Sequence, residues 1–320
     1  MTTGAIVFGS SGFIGSHLLR RLKADGVTPL VGVDRRPPRQ RLDGVTYIQA
    51  DVRDLSGLQV DGEIDTIFNL AAVHVTPGHP DPEYYDTNIA GATQVTAFAR
   101  RRGIETIVFT SSISVYGPGE ETKSEASPPA PESAYGWSKW LAEGIHRAWM
   151  QEDAGRRLVI ARPAVIFGPG EGGNFTRLAK LMKKGFFVYP GRKDTIKACF
   201  YVDDLLEAIF YARGLDERSI LFNGCYPDRY TLEQIVETMK AGQFAGVKTF
   251  LLPRFVVTAA ATLLRPFSVL GLGIHPDRVM KLVRSTDIVP GWLQQHDFAP
   301  TGRLPAAFDR WQKASEGRFD

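Results

Sequence analysis

Short apolar runs alternate with stretches of helical period through the first half of the chain. Ala5–Gly9, Leu30–Asp34, Thr46–Ala50, Thr66–Leu70, Thr106–Thr110 and Leu158–Ala161 are rich in Val, Ile, Leu and Phe. Their apolar residues are largely consecutive, which predicts strands buried on both faces. Between them, Gly15–Ala24, Glu83–Arg102 and Ser133–Asp153 carry apolar residues at helical spacing and predict amphipathic helices. Strands alternating with helices predict βαβ units and an α/β, doubly wound parallel sheet whose ligands sit at the carboxyl ends of the strands.

After Gly168 the rhythm changes. Pro169-Gly170-Glu171-Gly172-Gly173 reads as a loop and Phe175–Lys184 as a helix, and Tyr201–Arg213 reads as a strand end running into another helix. From Pro227 onward, helices such as Leu232–Met239 and Pro276–Val283 mix with short strands without the earlier alternation. The division predicted is a dinucleotide-binding domain over 1–168 and 199–226, with a smaller mixed α/β substrate lobe over 169–198 and 227–320. No internal repeat is present, and the only compositional bias is the short proline-rich stretch Pro128–Pro131.

Composition narrows the partners. Across 320 residues the net charge is +3 and 43% of residues are hydrophobic, which suits a soluble globular protein and gives no reason to expect nucleic acid. Cys199 and Cys225 have neither metal-site spacing nor a disulfide framework, so no metal is expected, and a reducing compartment is. No basic, apolar and small-residue series opens the chain, and a cytoplasmic location is the default. The longest apolar stretch, residues 255–274, carries Arg265 and Pro266, so a buried or surface-lying helix followed by a turn is expected there rather than an integral membrane segment.

The first predicted strand runs into GSSGFIGSHLLRRL. Gly9, Gly12 and Gly15 stand where glycines allow a tight turn, bring backbone close to a pyrophosphate and let helix pack on strand, and the helix amides face the phosphates. This strand-turn-helix makes the predicted sheet Rossmann-type. Asp34, ending the second strand, can accept from both adenosine ribose hydroxyls, which favours NAD. Arg35, Arg36, Arg39 and Arg41 follow at once and keep NADP open, since an arginine can accommodate a 2′-phosphate. Asp51, ending the third strand, reads either as an adenine contact or as a helix N-cap.

Two further stretches carry reacting groups. Tyr135 and Lys139 share a helix face one turn apart, and a nearby ammonium favours a phenolate, so the pair makes sense as a general acid/base with its tuner. Upstream, Thr110, Ser111 and Ser112 end the fifth strand on the same carboxyl edge as the glycine loop. A hydroxyl there could hydrogen-bond a substrate oxygen.

These motifs, in order, resemble the extended short-chain dehydrogenases/reductases, and within them the NAD-dependent epimerase/dehydratase group that acts mostly on nucleotide sugars. The resemblance spans nearly the whole chain: GSSGFIG, Asp34, ADV at 50–52, NLAA at 69–72, DTNIAGATQV at 86–95, FTSSISVYG, YGWSK, ARPAVIFGPG at 161–170 and YVDDLLEAI at 201–209. It implies Tyr135 as catalytic acid/base, Lys139 as tuner and nicotinamide-ribose ligand, and Ser112 as the hydroxyl that orients the substrate oxygen. Along the cofactor it implies Ser11, Phe13 and Ile14 in the glycine loop, Arg35 and Val52 beside the two aspartates, and Leu70, Ala71, Ala72 and Asn88. Pro163 falls near the nicotinamide. The implied chemistry is hydride transfer between a carbinol carbon and the nicotinamide while Tyr135 moves the hydroxyl proton.

Within that group, Ser112-Ile113-Ser114 lacks the carboxylates of a 4,6-dehydratase. A C4 epimerase is the leading expectation and a keto-sugar reductase the next. GGNF at 172–175 resembles the segment that meets the sugar nucleotide, with Asn174 as the contact, and Lys197 replaces an arginine that meets the diphosphate. The family's later Arg-Pro-Gly-Asp motif is missing. Arg284-Ser285-Thr286-Asp287 stands nearest to it and reads alternatively as a strand, while Lys281 and Arg284 are possible replacements or plain surface charges. That departure, with the apolar 255–274, keeps open a dehydrogenase of an apolar, sterol-like alcohol. A non-catalytic NAD-binding protein is the alternative from another class, and the intact Ser112, Tyr135 and Lys139 set argues against it. The family also implies a homodimer through the helices at 83–102 and 133–153.

Overall fold

The computed structural model describes residues 3–75, 78–253 and 284–320. The apolar runs become strands β1 (Ala5–Phe8), β2 (Leu30–Asp34), β3 (Thr46–Gln49), β4 (Thr66–Asn69), β5 (Thr106–Thr110) and β7 (Arg157–Pro163). With β11 (Ser219–Gly224) they form one seven-stranded sheet in the order β11-β7-β5-β4-β1-β2-β3. Every pairing in it is parallel. The chain runs outward from β1 to β3 and then returns to lay β4 on the other side of β1. The strand order therefore reverses between β1 and β4, which opens a crevice at their carboxyl ends.

Helices cover both faces, as consecutive apolar residues require. Ala5 and Val7 point into the core shared with α1 (Phe13–Ala24) and α5 (Val202–Gly214). Ile6 and Phe8 point the other way, against α2 (Asp81–Arg102) and α3 (Ala134–Gln151). The alternation is the two-residue period of a strand, and each fully buried Val, Leu or Phe contributes about 1.5–3 kcal/mol. Helix α2 stops at Gly103, whose φ of 63° is left-handed and closes the last turn.

The rest of the chain builds three two-stranded parallel pairs: β8 (Val165–Phe167) with β10 (Cys199–Tyr201), β9 (Phe186–Gly191) with β12 (Lys248–Pro253), and β6 (Gly119–Lys123) with β13 (Thr286–Ile288). Stretch 284–287 thus supplies β13, in line with its reading as a strand. Helix α4 (Asn174–Met182) packs by Phe175 on Phe167, rings stacked at 4.4 Å, and Phe308 and Trp311 of the helix Leu304–Ala314 close on the same ring. Residues 255–274, the helix expected at 276–283 and Lys281 lie outside the described residues. Among those described, no helix is long and apolar enough to cross a membrane.

One buried polar cluster ties these parts together. Glu143 of α3 and Arg162 of β7 are almost entirely out of solvent and pair through two hydrogen bonds of 2.8 and 2.7 Å. Ser111, just past β5, donates to the same carboxylate at 2.5 Å. Arg162 also donates to the Tyr116 hydroxyl at 2.7 Å, and that hydroxyl donates to Asn223 of β11 at 2.9 Å. Removing one partner strands a buried charge, so Glu143→Ala should lower stability by about 3–5 kcal/mol in denaturant titration. A Glu143→Ala variant as stable as the parent would show that the pair does not hold α3 to the sheet.

Candidate active site

Each glycine of the first loop answers a different steric demand. Gly9 has φ +81°, and a Cβ there would sit 2.7 Å from the Ala71 amide nitrogen, because the chain leaving β4 passes directly behind it. A Cβ at Gly15 would meet the Gly9 carbonyl oxygen at 2.2 Å, so only glycine lets α1 start against the end of β1. Gly12 is the N-cap of α1 and supplies no side-chain cap, and its own Cβ would lie 3.2 Å from the Gly9 oxygen. Without a capping side chain, the amides of the first turn, beginning at Phe13 and Ile14, present their partial positive charge to the crevice.

Asp34 ends β2 beside that loop. Its carboxylate accepts from the backbone N–H groups of Ser11 at 3.1 Å and Arg36 at 2.9 Å, and the Ser11 hydroxyl donates to the Arg36 carbonyl at 2.9 Å. The acid is therefore fixed against the glycine loop. A cleft follows, lined by Ser11, Gly12, Arg20, Arg39, Tyr47 and Pro169. Arg39 closes one rim through a 3.4 Å bond to the Gly170 carbonyl, while Arg35 and Arg36 stay exposed. Uncapped amides, glycines whose missing side chains leave room and an anchored carboxylate fit the pyrophosphate and ribose of a dinucleotide. Asp51 does not cap a helix, since none follows it. It closes a turn on the Arg53 amide and pairs with the Arg53 guanidinium at 2.7 Å, which holds its carboxyl below the usual range. Val52 beside it is buried against Gly91 of α2.

The reacting groups meet where α3 begins. Ser133 caps α3 by accepting from the Gly136 amide at 3.1 Å, so Tyr135 sits in the first turn, where the helix dipole favours an anion. A Cβ on Gly136 would lie 2.5 Å from the Ser114 carbonyl, so a glycine after the tyrosine is what lets α3 touch the 3₁₀ turn Ile113–Tyr116. That approach brings Tyr135 into hydrogen bonding with Ser112. The Ser112 hydroxyl also accepts from the Ser114 amide at 3.1 Å. Of the three strand-end hydroxyls, Ser111 is committed to Glu143 and Thr110 faces the Asn69 carbonyl, which leaves Ser112 for the crevice.

The expected lowering of the tyrosine pKa is not what the protein alone shows. Burial pushes the Tyr135 hydroxyl up to about 12, the Ser112 hydrogen bond opposing it. Burial likewise pushes Lys139 down to about 7, with Glu143 one turn further on working to keep it charged. Lys139 is buried with its Nζ 4.4 Å from the Phe109 ring centroid. Desolvation penalises each charge taken singly, and a phenolate and an ammonium formed together would compensate each other.

Two buried polar residues extend this face of α3. His146 stacks on Phe109 at 4.2 Å, its Nδ1 lies 2.7 Å from the Ala142 carbonyl and its Nε2 lies 3.2 Å from the Asn69 amide. Burial lowers its pKa to about 4, so the ring is neutral, with Nδ1–H donating to the carbonyl and Nε2 accepting from Asn69. Asn88 of α2 spends both amide hydrogens on the Val73 carbonyl and the Ser138 hydroxyl and accepts from the Val73 amide. Its side chain thus holds the Leu70-Ala71-Ala72-Val73 segment, which the family pattern puts along the cofactor, against α3. Glu143, His146, Arg162 and Gly136 were not singled out from sequence. Their signal was the polar series at positions 135, 139, 143 and 146 on one helix face.

Residues expected toward the substrate are more scattered. Pro163 ends β7 opposite Gly224 and is buried. Asn174 starts α4, is exposed and accepts from Arg177 at 2.8 Å. Lys197 donates to the Arg284 carbonyl at 2.6 Å, and burial lowers its pKa to about 8. Around it, Ser285 donates to Glu120 at 2.9 Å, Glu120 pairs with Arg192 at 3.1 Å, and Arg284 reaches Glu132 at 3.3 Å. Among the described residues, no cluster of His, Cys, Asp and Glu could hold a metal ion.

Comparison with known proteins agrees with this geometry. A 4-epimerase of N-acetyl-α-D-glucosaminyl-diphospho-ditrans,octacis-undecaprenol from Escherichia coli O157:H7 is 36% identical over 213 residues, 66% of this chain and 63% of that protein. A UDP-glucose 4-epimerase of Mycolicibacterium smegmatis is 32% identical over 65% of this chain and 72% of its own length. Among solved structures, MoeE5 in complex with UDP-glucose and NAD superposes over 99% of this chain and 100% of its own, with a TM-score of 0.74 at 23% identity. The UDP-Glc/GlcNAc 4-epimerase of Campylobacter jejuni covers 98% and 99% of the two chains with a TM-score of 0.75 at 20% identity. The family model described as NAD dependent epimerase/dehydratase family matches residues 5–219, and the chain belongs to that family.

Proposed function

We propose that the protein is an NAD-dependent 4-epimerase of a hexose carried on a diphosphate, with a nucleotide sugar as the first candidate substrate. The observation that supports this reading is Tyr135 beside Ser112, with Lys139 buried one turn further along α3, at the sheet edge that also carries the glycine loop. Residues 1–168 and 199–226 hold the cofactor in this reading, and 169–198 with 227–320 meet the sugar. Bound NAD supplies a carbon that takes and returns hydride. Ser112 orients the sugar hydroxyl, and the Tyr135 oxygen takes its proton when the carbinol is oxidised and returns it on reduction. Lys139 compensates the phenolate so formed, aided by the positive end of α3. Asn69, Leu70, Ala71 and Ala72 form the wall that Asn88 and His146 keep in place.

A second reading concerns the carrier. The matched E. coli protein is named for a sugar linked through diphosphate to undecaprenol, and this chain replaces the expected arginine by Lys197 and lacks the Arg-Pro-Gly-Asp motif. Both differences suit a diphosphate that need not carry a nucleoside. A cytoplasmic location belongs to either reading, since Cys199 and Cys225 are buried unbridged thiols.

Tyr135→Phe removes the proton carrier and keeps the ring. Turnover should fall by about 10²–10⁴-fold while NAD affinity, measured by calorimetry, stays nearly unchanged. Unchanged turnover would take Tyr135 out of the mechanism. Gly15→Val forces a side chain into the Gly9 carbonyl, so the rise in melting temperature that NAD confers on the parent should vanish. A variant still stabilised by NAD would move the pyrophosphate away from this loop.

A homodimer also belongs to the proposal. Trp137 and Leu141 stay exposed on α3, and Gly144 and Ala148 continue the same face as small residues. Trp137→Glu with Leu141→Glu should convert a dimer into a monomer in sedimentation velocity. A parent protein already monomeric would remove this part.

A further inference from the structure

The outer face of the β9–β12 pair breaks the rule that a solvent-facing strand side is polar. In β9 the inward positions are Phe187 and Tyr189, both buried, and the outward positions are Phe186 and Val188, at 44% and 38% exposure. The parallel register sets Phe186 opposite Lys248 and Val188 opposite Phe250, so these four share one side of the pair. Phe250 is 55% exposed; Leu251, also exposed, stands opposite Tyr189 and so on the other side of the pair. With Leu181 at the end of α4, this region holds five of the eight large hydrophobic residues found exposed among the described residues. Apolar clusters of this kind on a soluble protein mark contact with something apolar.

Charge along the segments that carry the cluster has one sign, while Asp194, Glu120 and Glu233 pair with Arg192 and Lys193 at their far end. From Arg177 to Lys193 the sequence has six cations and no carboxylate, and Gln243–Pro253 has Lys248 and no carboxylate. Among the described residues Lys180, Lys184 and Lys248 pair with no acid, and the Lys248 amide bonds to the Gly185 carbonyl at 3.0 Å, which brings Lys248 beside Lys183-Lys184. Aromatic and aliphatic tips ringed by lysines are the composition that settles into the headgroup layer of an anionic bilayer, apolar tips in the acyl boundary and ammonium groups on lipid phosphates. A second protein copy fits less well, since the face would meet its own positive rim.

We propose that the outer face of β9 and β12, with the lysines ending α4, docks this protein on an anionic membrane surface. Phe186, Val188 and Phe250 enter the interface, and Lys180, Lys184 and Lys248 hold the phosphates. The protein lies on the membrane and does not span it. The proposal deepens the second reading of the substrate, because a diphosphate carried on a polyprenol is presented at such a surface. Binding to the lipid itself does not depend on that reading.

The test is co-flotation of the full-length protein with vesicles of phosphatidylcholine alone and of phosphatidylcholine with phosphatidylglycerol at about 3:1. Flotation should require phosphatidylglycerol and weaken with salt. Phe186→Ser with Phe250→Ser, and separately Lys180→Glu with Lys184→Glu, should each cut the bound fraction at least about tenfold. Melting temperature, NAD binding, oligomeric mass and turnover of soluble UDP-hexoses should stay as in the parent. No flotation of the parent, or equal flotation of the variants, overturns the proposal. So does a fall in melting temperature without a change in flotation, which would mean that another segment of this chain covers the face. A change of oligomeric mass would assign the face to a second copy. Retained flotation without epimerase activity would reject the catalytic reading and leave the membrane face standing.

Discussion

The paired charges of Glu143 and Arg162 are the constraint on which the remainder of the site depends. Two ions out of water are tolerable only when each is met by several partners, and here five elements supply them: α3, β5's end, the Ile113–Tyr116 turn, β7 and β11. Because the pair sits one turn beyond Lys139, satisfying it sets the depth and rotation of α3 on the sheet. That rotation in turn decides where Tyr135 meets Ser112. An apolar core could fix α3 as tightly in energy, but it would tolerate small rotations that a bidentate ion pair does not.

Electrostatics at the reacting pair follow from the same burial. Tyr135 and Lys139 each resist ionisation when alone, one with its pKa raised to about 12 and the other lowered to about 7. The enclosure that makes each charge costly also makes their mutual attraction strong, since little water screens it. Glu143 biases the balance toward the ammonium, and the first turn of α3 toward the phenolate. In the proposed mechanism this would favour moving a proton between substrate and Tyr135 over releasing it to solvent.

Much of this was legible in the residues alone. Strand and helix positions in the first half followed from consecutive apolar runs, because a sheet buried on both faces leaves little ambiguity in the pattern. Gly9 and Gly15 were legible because a tight strand-to-helix turn leaves no room there for a side chain. What the pattern could not say is which polar residues turn inward. Asn88 braces Val73, and Ser111 and Ser112 are neighbours of the same type with different partners. Those outcomes depend on contacts between distant segments, which spacing along one helix does not encode. Apolar residues on the outside of β9 and β12 were hidden for the same reason, since inward and outward positions of β9 are alike aromatic or aliphatic.

Gly9 rests against the chain that leaves β4, and that contact has a consequence for how the molecule assembles. The cradle for the pyrophosphate is completed only when two sheet halves, joined by a long loop in sequence, have come together. It therefore depends on the non-local pairing of β1 with β4. A ligand held there binds the finished fold and ignores partly folded chains, so its free concentration acts directly on the folding equilibrium. The cell's supply of dinucleotide would then set both how fast this protein works and how much of it stays folded.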